Sequence, residues 1–252
     1  MDPAKFTTIA HLEHRLCNPL DPTVLERVTS GLGLSAGDRV IDVGCGKAAL
    51  LVDLARRFGV AGLGVDVNAA FLAEGRALAE RHRVAASVTL IEIDASRLEV
   101  GAAAFALALC IGSTHALGGY PATLRALAPL VRPGGHVLVG QGYWKRAPDE
   151  EYLMRLGATA GEMTTHDGNI AAGIAEELDE AGSWTSSADD WDSYEGLYAD
   201  TVERYVAEHP EDPDTPAMLE RIRRWRETYQ RWGRDTLGFG LYLFRRPGRP
   251  IP

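Results

Sequence analysis

Lysine is almost missing from this chain. Three lysines, Lys5, Lys47 and Lys145, stand in 252 residues that carry 35 acids and a net charge of −9. A net charge this negative argues against phosphate backbones as ligands, so no nucleic-acid partner is expected. Cysteine is equally scarce. Cys17, Cys45 and Cys110 are odd in number and far apart, which gives neither a disulfide framework nor a zinc-ligand spacing. No long apolar run exists either. The longest, residues 102–111, is far too short to span a bilayer, so no membrane partner is expected. Residues 1–6 show no basic stretch leading into an apolar one, so a signal peptide is not expected, and the chain reads as a cytoplasmic protein.

What is present centres on residues 40–50. An apolar run stops at Asp42, the chain passes through Gly44 and Gly46, and a helix-like segment follows at once. A strand–glycine turn–helix arrangement brings backbone close to a nucleotide-type ligand, because a Cβ would block the approach and such turns often need positive φ. The helix start then offers free N–H groups to an anionic part of that ligand. Residues 44–49 also fit a relaxed G-x-G-x-x-A dinucleotide pattern, which is weak by itself. Two further acids strengthen it. Asp66 ends a second apolar run, and Asp94, followed by Ala95, ends a third. Acids at the carboxyl ends of three successive parallel strands share one sheet edge, where open α/β folds bind ligands.

Together these residues resemble the class I S-adenosylmethionine (SAM)-dependent methyltransferases. The resemblance runs from about residue 20 to about residue 145 and returns at the last strand. Asp42-x-Gly44-x-Gly46 looks like the family's first motif, Asp66 like its ribose-binding acid, and Asp94–Ala95 like its adenine-contacting pair. Residues 130–135, with Pro133-Gly134-Gly135, look like the turn before strand five. The resemblance implies an α/β, Rossmann-like class I methyltransferase fold: a seven-stranded, mostly parallel sheet with an antiparallel last strand, an N-terminal helical cap and a C-terminal helical insertion. It implies SAM as cofactor and S-adenosylhomocysteine as product. The implied cofactor set is Asp42, Gly44, Cys45, Gly46, Asp66, Val67, Asp94, Ala95 and Cys110, with both cysteines as small packing residues at its margin. The family often has a third glycine where this chain has Ala48, which implies a slightly altered loop.

The chain divides into a cap (1–37), a SAM-binding core (38–187), a helical lid (188–235), and a last strand with a Pro-rich tail (236–252). In the cap, apolar residues at 9, 12 and 16 predict a helix, stopped by Asn18-Pro19, and a second helix opens at Pro22. Helix signals cover 169–181, 187–198 and 218–232. Trp191, Tyr194, Tyr198 and Tyr205 share one helical face, as do Trp225, Tyr229 and Trp232. Residues 176–214 are acidic and 221–249 rich in arginine, which suits two neighbouring helices with solvated outer faces.

Methyl transfer from SAM is an in-line displacement at an activated sulfonium, so the protein mainly aligns the acceptor and excludes water. Acceptor-side candidates come from the segments after strands four and five. His115 suits a general base because imidazole titrates near neutrality. Tyr143 is the second catalytic candidate. Gln141 and Trp144 are candidates to orient the acceptor, and Trp191, Tyr194 and Tyr198 to wall its pocket from the lid. His11 and His14 could share a metal, but no carboxylate accompanies them in a recognised spacing, and no metal is expected. The reading is methyl transfer to an O or N atom of a small-molecule acceptor. The alternatives are an NAD(P)-dependent Rossmann oxidoreductase and a SAM-binding protein without activity. The first is disfavoured because no tyrosine has a lysine four residues on. Oligomeric state is not legible.

Overall fold

The computed structural model describes residues 2–248, so the last four residues of the Pro-rich tail lie outside it. Seven strands form one sheet in the order β3-β2-β1-β4-β5-β7-β6. They are β1 (Arg39–Val43), β2 (Ala61–Asp66), β3 (Val88–Glu92), β4 (Phe105–Ile111), β5 (Val131–Trp144), β6 (Asp179–Thr185) and β7 (Leu237–Arg245). The first five pair in parallel. β7 runs antiparallel to both β5 and β6. The expected fold is therefore observed, and β1 and β4 lie side by side at the point where the strand order reverses.

Alternation along the strands separates two cores. Val40, Leu107, Leu109 and Leu138 face α2 (Pro22–Ser30), α3 (Ala49–Phe58) and Trp191. Ile41, Val43, Ala108, Val137 and Val139 face α5 (Tyr120–Leu127). Strands buried on both faces read as the continuous apolar runs seen in the sequence. Leu107 and Leu109 are completely buried, each stabilising the sheet by roughly 1.5–3 kcal/mol.

Three local expectations are corrected. The helix expected over 9–16 is instead α1, Pro3–Ala10. Asp2 caps its start, and the chain leaves the helix at His11, where Lys47 Nζ takes the Leu12 carbonyl at 2.8 Å. Residues 11–20 then form an irregular strap. The segment 141–144, expected after strand five, lies within it, because β7 continues pairing from Gln141↔Gly240 to Trp144↔Leu237. The helix expected over 169–181 is α7, His166–Ala175. Glu177 turns the chain at φ 59°, and Asp179 and Glu180 join the sheet opposite Arg245 and Phe244.

Between β6 and β7, α8 (Ala188–Glu208) and α9 (Thr215–Thr228) pack together. Ser187 opens α8 with a reciprocal capping box to Asp190. The opposite outer charges meet at Arg226, which pairs with Asp200 at 2.8 Å and Glu203 at 3.1 Å. Such exposed pairs contribute only ~0–1 kcal/mol each. Most of the holding force is the buried seam of Ala199, Val202, Met218 and Ile222, joined by Phe6 and Ile9 of α1.

Candidate active site

Beyond β1 the backbone turns at Gly44 (φ 73°), Gly46 (φ 52°) and Ala48 (φ 53°). Each glycine has its own reason. A Cβ on Gly44 would stand 2.3 Å from the Ser113 Cβ, so the loop can touch the end of β4 only as glycine. A Cβ on Gly46 would meet nothing within 4 Å and would project into open space, as expected of a cradle. Ala48 holds a left-handed conformation that costs about 1–2 kcal/mol. Its methyl is accommodated because Gly75 of α4 (Ala69–Arg81) comes close there.

Asp66 ties the loop to β2. Its Oδ2 accepts from Gly46 N at 2.7 Å and its Oδ1 from Asn68 N at 2.8 Å. Asp42 differs. It is 5% exposed and makes no side-chain hydrogen bond or ion pair among the described residues. Burial, followed by the charge of Asp66, pushes its pKa up to about 7. A buried carboxylate with no protein partner, facing a hollow, asks for a cation.

The hollow is a cavity of about 420 Å³ at the carboxyl ends of β1, β2 and β4. Asp42, Gly44, Cys45, Gly46, Asp66, Val67 and His115 all line it. The strap closes it with His11, Arg15, Leu16, Cys17 and Asn18, and α1 adds Ala4 and Thr7. Lys47 is buried at the strap's base, bonded to the Leu12 carbonyl and paired with Glu74 at 2.7 Å. At the other end Asn18 donates to the Ile111 carbonyl at 3.3 Å, and Ser186 donates to the Pro19 carbonyl. Glycine at 112 holds φ 74° and leaves room for the Asn18 side chain, whose Oδ1 would stand 2.0 Å from a Cβ there.

Of the other candidates, only Cys45 belongs to the wall. Cys110 is fully buried within β4, on the face turned to α5, and burial pushes its thiol up to about 12. Burial also raises the Cys45 thiol, whose sulfur packs against Gly64. Cys110 therefore packs behind the site, whereas Cys45 packs its sulfur against Gly64 while its residue still lines the cavity. Asp94 is exposed and caps its own turn through Ser96 N at 2.8 Å, with Ala95 beside it. Gln141 accepts from Thr114 Oγ1 at 2.6 Å. Tyr143 lies over Gly238 and beside the His166 ring, on the sheet face away from Trp191. Trp144 packs with Tyr152 and Trp232 and donates to the Ala160 carbonyl at 2.9 Å.

The lid aromatics also lie outside the wall. Trp191 stacks with Tyr229 in the core. Tyr194 and Tyr198 pack against His11 and His14, and Tyr194 Oη donates to the Cys17 carbonyl at 3.4 Å. No residue of α8 or α9 lines the cavity. Of the two, α8 therefore backs the strap, and the strap is what covers the hollow. Sequence reading missed Lys47, Arg15, Asn18 and Ser113. A lysine directly after the glycine loop was the one available signal.

A doubly wound sheet with a glycine cradle and two acids at its switch point defines a Rossmann-like protein for a nucleotide-type ligand. A family model described as "Methyltransferase domain" matches residues 40–135. The SAM-dependent methyltransferase of Geobacter sulfurreducens, solved in complex with S-adenosyl-L-homocysteine, superposes with a TM-score of 0.89 at 30% identity, covering 95% of this chain and 97% of that one. The protein YjhP of Escherichia coli (strain K12) is 27% identical over 96% of this chain and 98% of its own. A ubiquinone biosynthesis O-methyltransferase of Acinetobacter baylyi is 29% identical over 71% of this chain and 79% of its own. This chain belongs to the SAM-dependent methyltransferases. Among the described residues no helix is long and apolar enough to cross a membrane.

Proposed function

We propose that the cavity under the strap binds SAM beside a small-molecule acceptor, and that the methyl group passes to an oxygen or nitrogen atom. The observation that carries this is the unpartnered Asp42 carboxylate in a wall shared with the glycine cradle and Asp66. SAM brings two cationic centres, a sulfonium and an ammonium, and either would satisfy Asp42. Gly44 and Gly46 let the backbone approach the methionyl part. Asp66 has lone pairs left on both oxygens to accept the ribose hydroxyls. Val67 stands exposed at the rim, where its side chain can cover an adenine face. Asp94 and Ala95 are assigned to the adenine edge on position alone, since β3 is the next strand beyond Asp66.

When bound, SAM supplies an activated methyl group. The chain's own residues exclude water through the strap, fix the donor through Asp66 and the cradle, and receive the acceptor near the end of β4. His115 lines the wall there and is the assigned base for an acceptor that must lose a proton. Tyr143, Gln141 and Trp144 are assigned structural work at the sheet edge. Likeness to an O-methyltransferase supports a hydroxyl acceptor. A cavity of this volume lies at the small end of small-molecule sites and supports a compact acceptor. The test is SAM turnover to S-adenosylhomocysteine with a panel of small phenols, alcohols and amines. Methylation of a member, lost in His115→Ala, supports the reading. Turnover only with protein or nucleic-acid acceptors overturns it.

A further inference from the structure

His11 and His14 are both buried, and their Nδ1 atoms are 3.4 Å apart. His14 Nε2 lies 3.1 Å from the Tyr194 carbonyl. A carbonyl can only accept, so His14 carries its proton on Nε2. The Ala10 carbonyl also acts on this ring, but the Tyr194 contact is the one with full hydrogen-bond geometry. A neutral imidazole has one N–H, so with that proton on Nε2 His14 Nδ1 is the acceptor. Two lone pairs facing at that separation would repel, so His11 supplies the proton from its own Nδ1. The remaining lone pair sits on His11 Nε2. That nitrogen has no protein partner among the described residues, and it is not among the fully buried unsatisfied atoms, which are Tyr120 Oη and Trp191 Nε1. His11 forms part of the cavity wall, so that is where this nitrogen finds its opening.

We propose that His11 is a tautomer-locked hydrogen-bond acceptor of the cavity, and that His14 is the residue that positions it. Its partner is an O–H or N–H donor of the bound occupant. Two sources share that chemistry: SAM, through its ribose hydroxyls or ammonium, and the acceptor, through its reacting hydroxyl or amine. The lock holds because His11 stays neutral. Burial above all, then the charges of His14 and Lys47, hold its pKa down to about 3. Tyr194 and Tyr198 seal the far side of both rings, at 4.7 Å from His14 and 5.0 Å from His11. This gives the aromatic face of α8 a task beyond packing.

The inference rests on the cavity being the SAM and acceptor site, and long-range proton–nitrogen NMR of the 15N-histidine protein tests it separately. The expected result is His11 protonated at Nδ1 and His14 at Nε2, in the apo protein. His14→Phe should abolish the His11 preference, and His14→Asn, which keeps an acceptor oxygen near the same place, should restore it. S-adenosylhomocysteine, methylthioadenosine and, on the saturated protein, phenol are then added as probes. A His11 Nε2 shift with the first two assigns a ribose hydroxyl. A shift with S-adenosylhomocysteine alone assigns the ammonium, and a shift only with phenol assigns the acceptor. A proton on His11 Nε2, or a nitrogen that none of the three probes moves, overturns the inference. Loss of S-adenosylhomocysteine binding altogether, measured by calorimetric titration of the same protein, instead overturns the functional reading.

Discussion

Asp42 and Asp66 face one cavity from neighbouring strands, yet only Asp66 is engaged by the protein. Its two oxygens hold the Gly46 and Asn68 amides, while Asp42 has no side-chain partner among the described residues. The protein has thus assigned one acid to build the cradle and left the other as an unmet demand for positive charge.

That demand has a pH signature. The Asp42 pKa is raised from 3.8 to about 7, so the folded protein holds this proton more tightly than the unfolded chain does. The stability it contributes is present at low pH and is lost as pH rises from about 4 to about 7, at up to ~1.4 kcal/mol per unit. Asp42→Asn removes this loss. The variant's melting temperature relative to the native protein should therefore climb between pH 4 and pH 8, while its SAM affinity falls at least tenfold at pH 8. Parallel melting curves at all pH values would contradict the assignment.

The glycine cradle makes a paired prediction. Gly44→Ala drives a Cβ into Ser113, whereas Gly46→Ala meets open space and pays only left-handed strain. The first should lower stability by more than the ~1–2 kcal/mol of strain alone, and the second by about that amount. Both should weaken SAM, Gly46→Ala because its methyl fills the cradle. Denaturant melts and calorimetry separate the two effects.

Lys47 is the strap's anchor. Lys47→Met keeps the buried stem but releases the Leu12 carbonyl and Glu74. Amide exchange over residues 11–20 should speed up, with exchange in β1 and β4 unchanged, and cofactor affinity should fall severalfold. Unaltered exchange in the strap would show that Lys47 does not hold it.

For the transfer step, His115→Ala should lower kcat by ~10²–10⁴-fold with SAM affinity nearly intact, once an acceptor is in hand. A loss below tenfold would mean that alignment alone drives transfer. Tyr143→Phe should leave kcat within severalfold, because its ring lies over Gly238 and outside the cavity wall.

The sheet and cradle were legible because they rest on local chemistry: apolar runs ending in acids, then glycines where a backbone must come close. The strap was not. Residues 9, 12 and 16 have helical spacing, yet only Ile9 stays in α1, while Leu12 and Leu16 lie in the strap, whose Leu12 carbonyl is held by a lysine 35 positions away, a contact no local pattern records. The end of strand five was misplaced. Residues 141–144 read as a segment beyond strand five, yet they continue it beside β7, where a Cβ on Gly142 would run into Met163. The aromatic stripes showed correctly that α8 and α9 pack together. They could not show that the strap would lie between α8 and the ligand.

Asp66 and the cavity above it are where the cofactor must bind. Calorimetric titration of S-adenosylhomocysteine into the native protein and into Asp66→Ala, with NADH as the control ligand, tests this directly. Saturable binding of S-adenosylhomocysteine, none of NADH, and a loss of at least tenfold in the variant are predicted, since each charge-assisted bond is worth ~1.5–3 kcal/mol. Equal affinity in both proteins, or tight NADH binding in place of S-adenosylhomocysteine, would contradict it.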